Sequence, residues 1–189
     1  MEQIAGNAQV EGCGIATMSR SLKIILILCA NLLILPSLSI AGQFRVVRVY
    51  DGDTLKAVGH DIEIKVRLVG IDAPETSKKK NEPGQPFSKQ ATKYLANLVL
   101  NETVEIKGYG LDRYNRILGE VFVGSWNVNL EMIKAGLAEV YRGKPPRGFD
   151  LRLYQESESK AKKSKLGMWE LGDKYMSPKE WRKMRRKDM

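Results

Sequence analysis

Between residues 44 and 68 apolar and polar positions alternate as they do in strands, and the turn-forming pair Asp51-Gly52 divides the stretch into a predicted hairpin. The run over 62–68 separates cleanly, with Ile62, Ile64, Val66 and Leu68 on one face and Glu63, Lys65 and Arg67 on the other. One face is therefore expected to be core. Residues 81–86 are rich in turn formers and follow the triple lysine Lys78, Lys79 and Lys80, which predicts an exposed mobile loop over 77–86. Helical spacing returns at Phe87, Ala91, Leu95 and Leu98, predicting a helix over 86–100 whose apolar stripe lies on the sheet. Two more strands are expected over 103–109 and 116–123, then a short helix over 127–135 that Gly136 ends. A brief strand over 138–141 follows, and after Pro145, Pro146 and Gly148 an amphipathic helix runs over 150–166 to a stop at Gly167. Strands clustered early, with helices between and after them, give an α+β class: a five-stranded OB-type β-barrel with three packed α-helices. Beyond Ser177 a helix can begin at Pro178, and its basic residues Lys179, Arg182, Lys183, Arg185, Arg186 and Lys187 read either as a solvated end or as a nucleic-acid contact.

The first 41 residues read differently from the rest. Arg20 and Lys23 precede an apolar run over 24–38, and Ser39 and Ala41 stand at signal-peptidase spacing, so cleavage after Ala41 is expected, with Met18 as the start of the leader. The alternative is a retained membrane anchor over residues 24–40. The remaining domain, 42–189 with a basic tail from about 177, is large enough for one core. Both cysteines, Cys13 and Cys29, fall in the leader, so neither disulfides nor thiolate metal ligands are expected in the folded part. Secretion or a periplasmic location follows, with a monomer as the default and no stable membrane association after cleavage. The formal charge is +9, and removing the leader takes away two basic and two acidic residues (Arg20, Lys23, Glu2, Glu11), leaving the excess in the folded domain. Such a surplus suits a polyanion, whose condensed counterions cationic side chains release.

A single histidine, His60, stands in a Gly59-His60-Asp61 turn, which excludes histidine-based hydrolysis and multi-histidine zinc. Chemistry must fall to carboxylates and arginines. They concentrate in Val49-Tyr50-Asp51-Gly52-Asp53-Thr54 and in Val66-Arg67-Leu68-Val69-Gly70-Ile71-Asp72-Ala73-Pro74-Glu75-Thr76, both at strand ends. An antiparallel sheet brings the start of one strand beside the end of the next, so Asp53 and Asp72 can share a rim. Their hard oxygens suit Ca²⁺ or Mg²⁺, with carbonyls, waters and substrate completing the shell.

These segments resemble the staphylococcal nuclease family, and the similarity continues through Asp112-Arg113-Tyr114-Asn115-Arg116, Gly136-Leu137-Ala138 and Ala161-Lys162-Lys163-Ser164-Lys165-Leu166-Gly167-Met168-Trp169. The resemblance implies a Ca²⁺-dependent phosphodiesterase acting on DNA and RNA with little sequence preference and leaving 3′-phosphate ends. It implies Asp53, Asp72 and the carbonyl of Ala73 as calcium ligands, Glu75 as general base, and Arg67 and Arg116 on the scissile phosphate. The family often has threonine where Ala73 stands, but a main-chain ligand survives that change. Arg113 and Tyr114 resemble positions that contact a terminal phosphate. Tyr141 lies near the family's base-stacking aromatic, where the local sequence departs, so stacking and core packing both stay open. The physical requirements agree: hydrolysis needs an activated water and stabilised non-bridging oxygens, which a guanidinium fork meets two at a time. Each group also has a structural alternative. Asp51 and Asp53 can cap a turn, Arg67 can pair with Glu63 or Glu75, and Arg116 can pair with Asp112. A non-catalytic nucleic-acid-binding module on the same barrel is the alternative function.

Overall fold

The computed structural model describes residues 43–187 apart from Lys78, Lys80 and Asn81. The expected leader, with Cys13, Cys29 and the cleavage position after Ala41, lies outside the described residues, as do Lys78 and Lys80 of the triple-lysine run. Among the described residues no helix is long and apolar enough to cross a membrane.

Three strands form an antiparallel meander: β1 (Gln43–Val49), β2 (Thr54–Gly59) and β3 (Ile62–Leu68). The tight two-residue turn falls at His60-Asp61, both at positive φ of 52° and 58°, which matches the right-handed twist of the flanking strands. The Asp51-Gly52 connection is instead a wider loop, closed by the Tyr50 amide donating to the Thr54 carbonyl. That width leaves Asp53 at the rim rather than in a ladder. After the two-residue β4 (Ile71–Asp72), helix α1 (Ser88–Val99) leads to β5 (Thr103–Leu111) and β6 (Ile117–Val123). β5 pairs with β1, β6 pairs with β5, and β6 then meets β3 in parallel, with Arg67 opposite Leu118. The β3–β6 ladder closes the barrel and removes its open edges.

The expected five-stranded α+β barrel is thus present, with three short strands added: β4, β7 (Trp126–Asn127) and β8 (Glu139–Val140). All three expected helices form as α1, α2 (Val128–Lys134) and α3 (Arg152–Lys163). The tail adds a 3₁₀ segment over Gly167–Lys174 and a fourth helix, α4 (Pro178–Lys187), where the sequence left a solvated end open. Two local expectations need correction. Ile62 is exposed at the hairpin tip, beyond the reach of the core, so the buried face of β3 begins only at Val66. The loop over 77–86 is pinned at its far end, because Gln85 is buried, its amide meets the Glu75 carbonyl at 2.8 Å and its side chain bonds two backbone groups.

The core lies inside the barrel and beneath α1 and α2, where Val46, Leu55, Val66, Leu95, Val104, Val121 and Met132 are fully buried. α1 presents Ala91, Leu95 and Val99 to it at helical spacing. A buried asparagine fixes α2 in place. Asn129 accepts from the Val121 amide at 3.0 Å and donates to the carbonyls of Val69 and Gly119 at 2.9 and 3.0 Å, satisfying its four-way capacity almost fully. These bonds tie together the ends of β3 and β6 that carry the site.

α2 ends in a Schellman turn at Gly136, at φ +66°, with the Leu137 amide reaching the Met132 carbonyl and the Gly136 amide reaching Ile133. A Cβ at Gly136 would overlap the Leu166 carbonyl, because the turn after α3 crosses here and the Met168 amide donates to the Gly136 carbonyl. Gly136→Ala is expected to cost at least about 2 kcal/mol, from left-handed strain plus forced separation of two backbones. Urea unfolding measures it, and an unchanged midpoint would show that the crossing relaxes freely.

Candidate active site

Strand register sets the first pair. Thr54, at the start of β2, lies opposite Arg67 at the end of β3, which places Asp53 beside the guanidinium. Arg67 donates from Nη1 to Asp53 Oδ1 and from Nη2 to Asp72 Oδ1, each at 2.9 Å. The structural alternative of a pair with Glu63 or Glu75 is therefore replaced by a bridge between the two aspartates. Asp53 and Asp72 are only 4% and 2% exposed, so they are buried charges that the fork keeps compensated. Asp53 also accepts from the Thr54 hydroxyl at 2.9 Å and from the Ala73 amide at 3.1 Å, which brings Ala73 against the same rim. Burial opposes the charge on Arg67, but Asp53 and Asp72 outweigh it and raise its affinity for the proton.

Asp51, which the sequence offered only as a turn cap, carries the clearest perturbation. Burial first, and the neighbouring charge of Asp53 second, push its carboxyl up to about 7, although its oxygen accepts from the Asp53 amide at 3.0 Å. Negative charge is thus crowded at this rim. Gly52, between the two, is held by close approach rather than by φ: a Cβ there would meet the Cβ atoms of Ala73 and Ala91 at 2.7 Å.

Arg116 stands just before the neighbouring strand β6, whose Ile117 and Leu118 lie opposite Val66 and Arg67 of β3. The loop over 112–116 is an Asx-type turn in which Asp112 Oδ1 accepts from the amides of Tyr114 and Arg116 at 2.8 and 3.0 Å. Asp112 Oδ2 then takes the Arg116 Nε at 2.7 Å, as the sequence alternative had it, yet this does not remove Arg116 from the site. Its Nη1 points to the Thr54 hydroxyl at 3.4 Å, so Asp112 aims the guanidinium at the same rim. Burial opposes ionisation of Asp112, but the bonds from Arg116 and the two amides prevail and hold its carboxyl below the usual range. Arg113 and Arg116 both lie over the Tyr114 ring, at 4.8 and 5.4 Å, and the ring itself is exposed.

Asp53, Arg67, Ala73, Glu75, Arg113, Tyr114, Arg116 and Tyr141 all line one groove of about 1020 Å³. Tyr141 is 41% exposed, which sets aside core packing and leaves its ring facing the groove. Glu75 is held by its backbone: its amide donates to Gln85 Oε1 at 3.0 Å and its carbonyl accepts from the Gln85 amide. Its carboxylate contacts Arg182 Nη1. Gln85 carries no signal in the sequence, and Arg182, which reads there only as one basic residue of a solvated or nucleic-acid-binding tail, instead pairs with Asp72 and Glu75. Ser177-Pro178-Lys179-Glu180 does announce a capped helix, but where its arginines go depends on tertiary structure.

The sequence pattern of the family described as "Staphylococcal nuclease homologue" matches residues 65–171, more than half of the chain and most of this groove. The chain belongs to the staphylococcal nuclease family. Relatives named "Probable endonuclease LCL3" are 39% identical over 127 residues in Komagataella phaffii, covering 64% of this chain and 55% of that protein. In Pyricularia oryzae the identity is 41% over 125 residues, covering 63% of this chain and 48% of the relative. The chain thus spans about half the length of the curated relatives it matches. For a staphylococcal nuclease homologue the donor chemistry at this rim fits a hard cation, since the crowded groups are carboxylate oxygens, with the Ala73 backbone held against them through its amide. Among the described residues no group of three or more His, Cys, Asp or Glu side chains forms a ready metal cage, so waters and substrate oxygens would complete any shell.

Proposed function

We propose that this protein is a calcium-dependent endonuclease that hydrolyses DNA and RNA with little sequence preference and leaves 3′-phosphate ends. The observation that carries the reading is the Arg67 fork across two buried aspartates, with Arg116 aimed at the same rim and Glu75 lining the same groove. A non-bridging phosphate oxygen pair placed between Arg67 and Arg116 meets planar, permanently charged donors that lysine does not reproduce. Glu75 takes a proton from the attacking water, and its backbone bonds to Gln85 fix its main chain at the groove. Asp53, Asp72 and the Ala73 carbonyl would hold the calcium ion, which when bound would supply Lewis acidity and a template for phosphate and water. Tyr114 and Arg113 receive the adjoining phosphate, and the exposed Tyr141 ring gives a base a face to stack on. Contacts to phosphate, sugar and base faces rather than base edges account for the weak sequence preference. The leader-like residues 24–38 support export, with a soluble monomer as the working form.

The test is direct. Purified chain is incubated with single- and double-stranded DNA and with RNA, in Ca²⁺ or in chelator, and products are end-labelled. Cutting is expected only with Ca²⁺, giving 3′-phosphate ends on all three substrates. Binding without cutting in Ca²⁺ would instead place the protein among non-catalytic nucleic-acid modules.

A further inference from the structure

α4 is built locally and then anchored to the site at several points. Ser177 and Glu180 form a reciprocal capping box, with the Ser177 amide donating to Glu180 Oε2 at 3.0 Å and the Glu180 amide to Ser177 Oγ at 3.2 Å, and Pro178 fills the first helical position. The chain leading into it is held from below: Tyr175 donates to Glu139 at 2.7 Å, and Glu139 is the ladder partner of Asp72. Gln85 completes the link, since its Nε2 donates to the Met176 carbonyl at 2.7 Å while its Oε1 holds the Glu75 amide. α4 therefore starts at a point already tied to both Asp72 and Glu75. Arg182, in its second turn, forks onto Asp72 from Nη1 to Oδ1 at 3.0 Å and from Nη2 to Oδ2 at 2.7 Å, and Nη1 also meets Glu75. One turn on, Arg186 lines the same groove, and Arg185 pairs with Glu82 across the loop. α4 and the chain leading into it from Tyr175 lie beyond the matched family segment, which ends at residue 171.

We propose that Arg182 is an internal cation that competes with the divalent ion for Asp72 and occupies the carboxylate of the general base Glu75, so that α4 sets the cation concentration at which the site becomes active. The inference rests on the calcium reading above. A guanidinium that engages both oxygens of Asp72 and one of Glu75 uses the acceptors that a hard cation and a general base require. Two cations on one carboxylate repel each other, so the divalent ion binds the fraction of molecules in which Arg182 has let go. Its apparent dissociation constant is raised by the inverse of that fraction.

Calorimetric titration of the full chain with CaCl₂ tests this without any turnover. Arg182→Gln is expected to bind Ca²⁺ about tenfold or more tightly than the unmodified chain, as the loss of charge-assisted bonds to carboxylate implies. Arg182→Lys, which keeps a cation without the planar fork, is expected to fall between the two. Lys183→Gln removes the same charge from an exposed neighbour and is expected to leave the affinity unchanged. Affinity in Arg182→Gln that is equal to or weaker than that of the unmodified chain overturns the inference, while Ca²⁺-dependent cutting by the unmodified chain keeps the calcium reading. No Ca²⁺ binding by any variant, with no cutting, overturns both.

Discussion

Arg67→Ala is expected to lower cleavage by a factor on the order of hundreds or more, and to destabilise the fold at the same time. The rate loss follows from removing a preorganised donor from developing phosphate charge, worth about 2.7 to 4 kcal/mol of barrier. The stability loss has a separate origin. Asp53 and Asp72 are almost fully buried, and removing the partner of a buried charge typically costs about 3 to 5 kcal/mol. The cost falls first on Asp53, because Asp72 keeps the fork of Arg182, whereas the other partners of Asp53 are only a hydroxyl and an amide. Single-turnover cleavage and urea unfolding at the same pH separate the two effects. Arg67→Lys is expected to restore part of the stability and little of the rate, since an ammonium neutralises charge but cannot span two carboxylates and a phosphate in one plane. Full cleavage by the lysine variant would remove the fork from the mechanism. An unchanged unfolding midpoint in the alanine variant would mean that the aspartates do not depend on Arg67.

The barrel was readable because its signals are local. Alternation along β3, the turn pair at His60-Asp61 and the helical spacing of Ala91 and Leu95 each act within a few residues, and the structure follows them. Errors fall where tertiary contact decides. Ile62 fits the alternation but sits past the end of the core, and Gln85, in a segment that reads as a polar loop, is drawn inward by two backbone partners that sequence does not reveal. The Asp51-Gly52 pair predicts a tight turn, yet the loop widens there, and the extra length places Asp53 at the rim.

The site was legible to a similar depth and for a similar reason. Asp53, Arg67, Asp72 and Glu75 lie within two short segments joined by one hairpin, so their convergence needs only antiparallel register, and Thr54 opposite Arg67 supplies it. Arg116 needed more, because it reaches the rim through Asp112 and the parallel closure of β3 with β6. The perturbation of Asp51 depends on burial beside a second carboxylate and is invisible along the chain. Arg182 is 110 residues from Asp72, and no periodicity within α4 indicates which of its basic side chains turns inward.

Glu75→Gln is expected to lower kcat by about two to four orders of magnitude with little change in KM, because general-base catalysis is worth roughly that much and the phosphate-binding arginines are untouched. The substitution is nearly isosteric. Its amide oxygen still accepts from Arg182, its backbone amide still donates to Gln85, and the side chain is partly exposed, so the unfolding midpoint should move little. Calcium binding should also persist, since Asp53 and Asp72 keep their oxygens. That combination distinguishes Glu75 from its neighbours: Asp53→Asn or Asp72→Asn should weaken Ca²⁺ binding along with turnover, whereas Glu75→Gln should leave an enzyme that binds cation and nucleic acid but cannot take the proton from water. Steady-state cleavage and calorimetry on the same preparations give the comparison. Turnover retained in Glu75→Gln would assign the base to another group in the groove, and the crowded carboxyl of Asp51, already shifted toward neutral pH, is the next to replace.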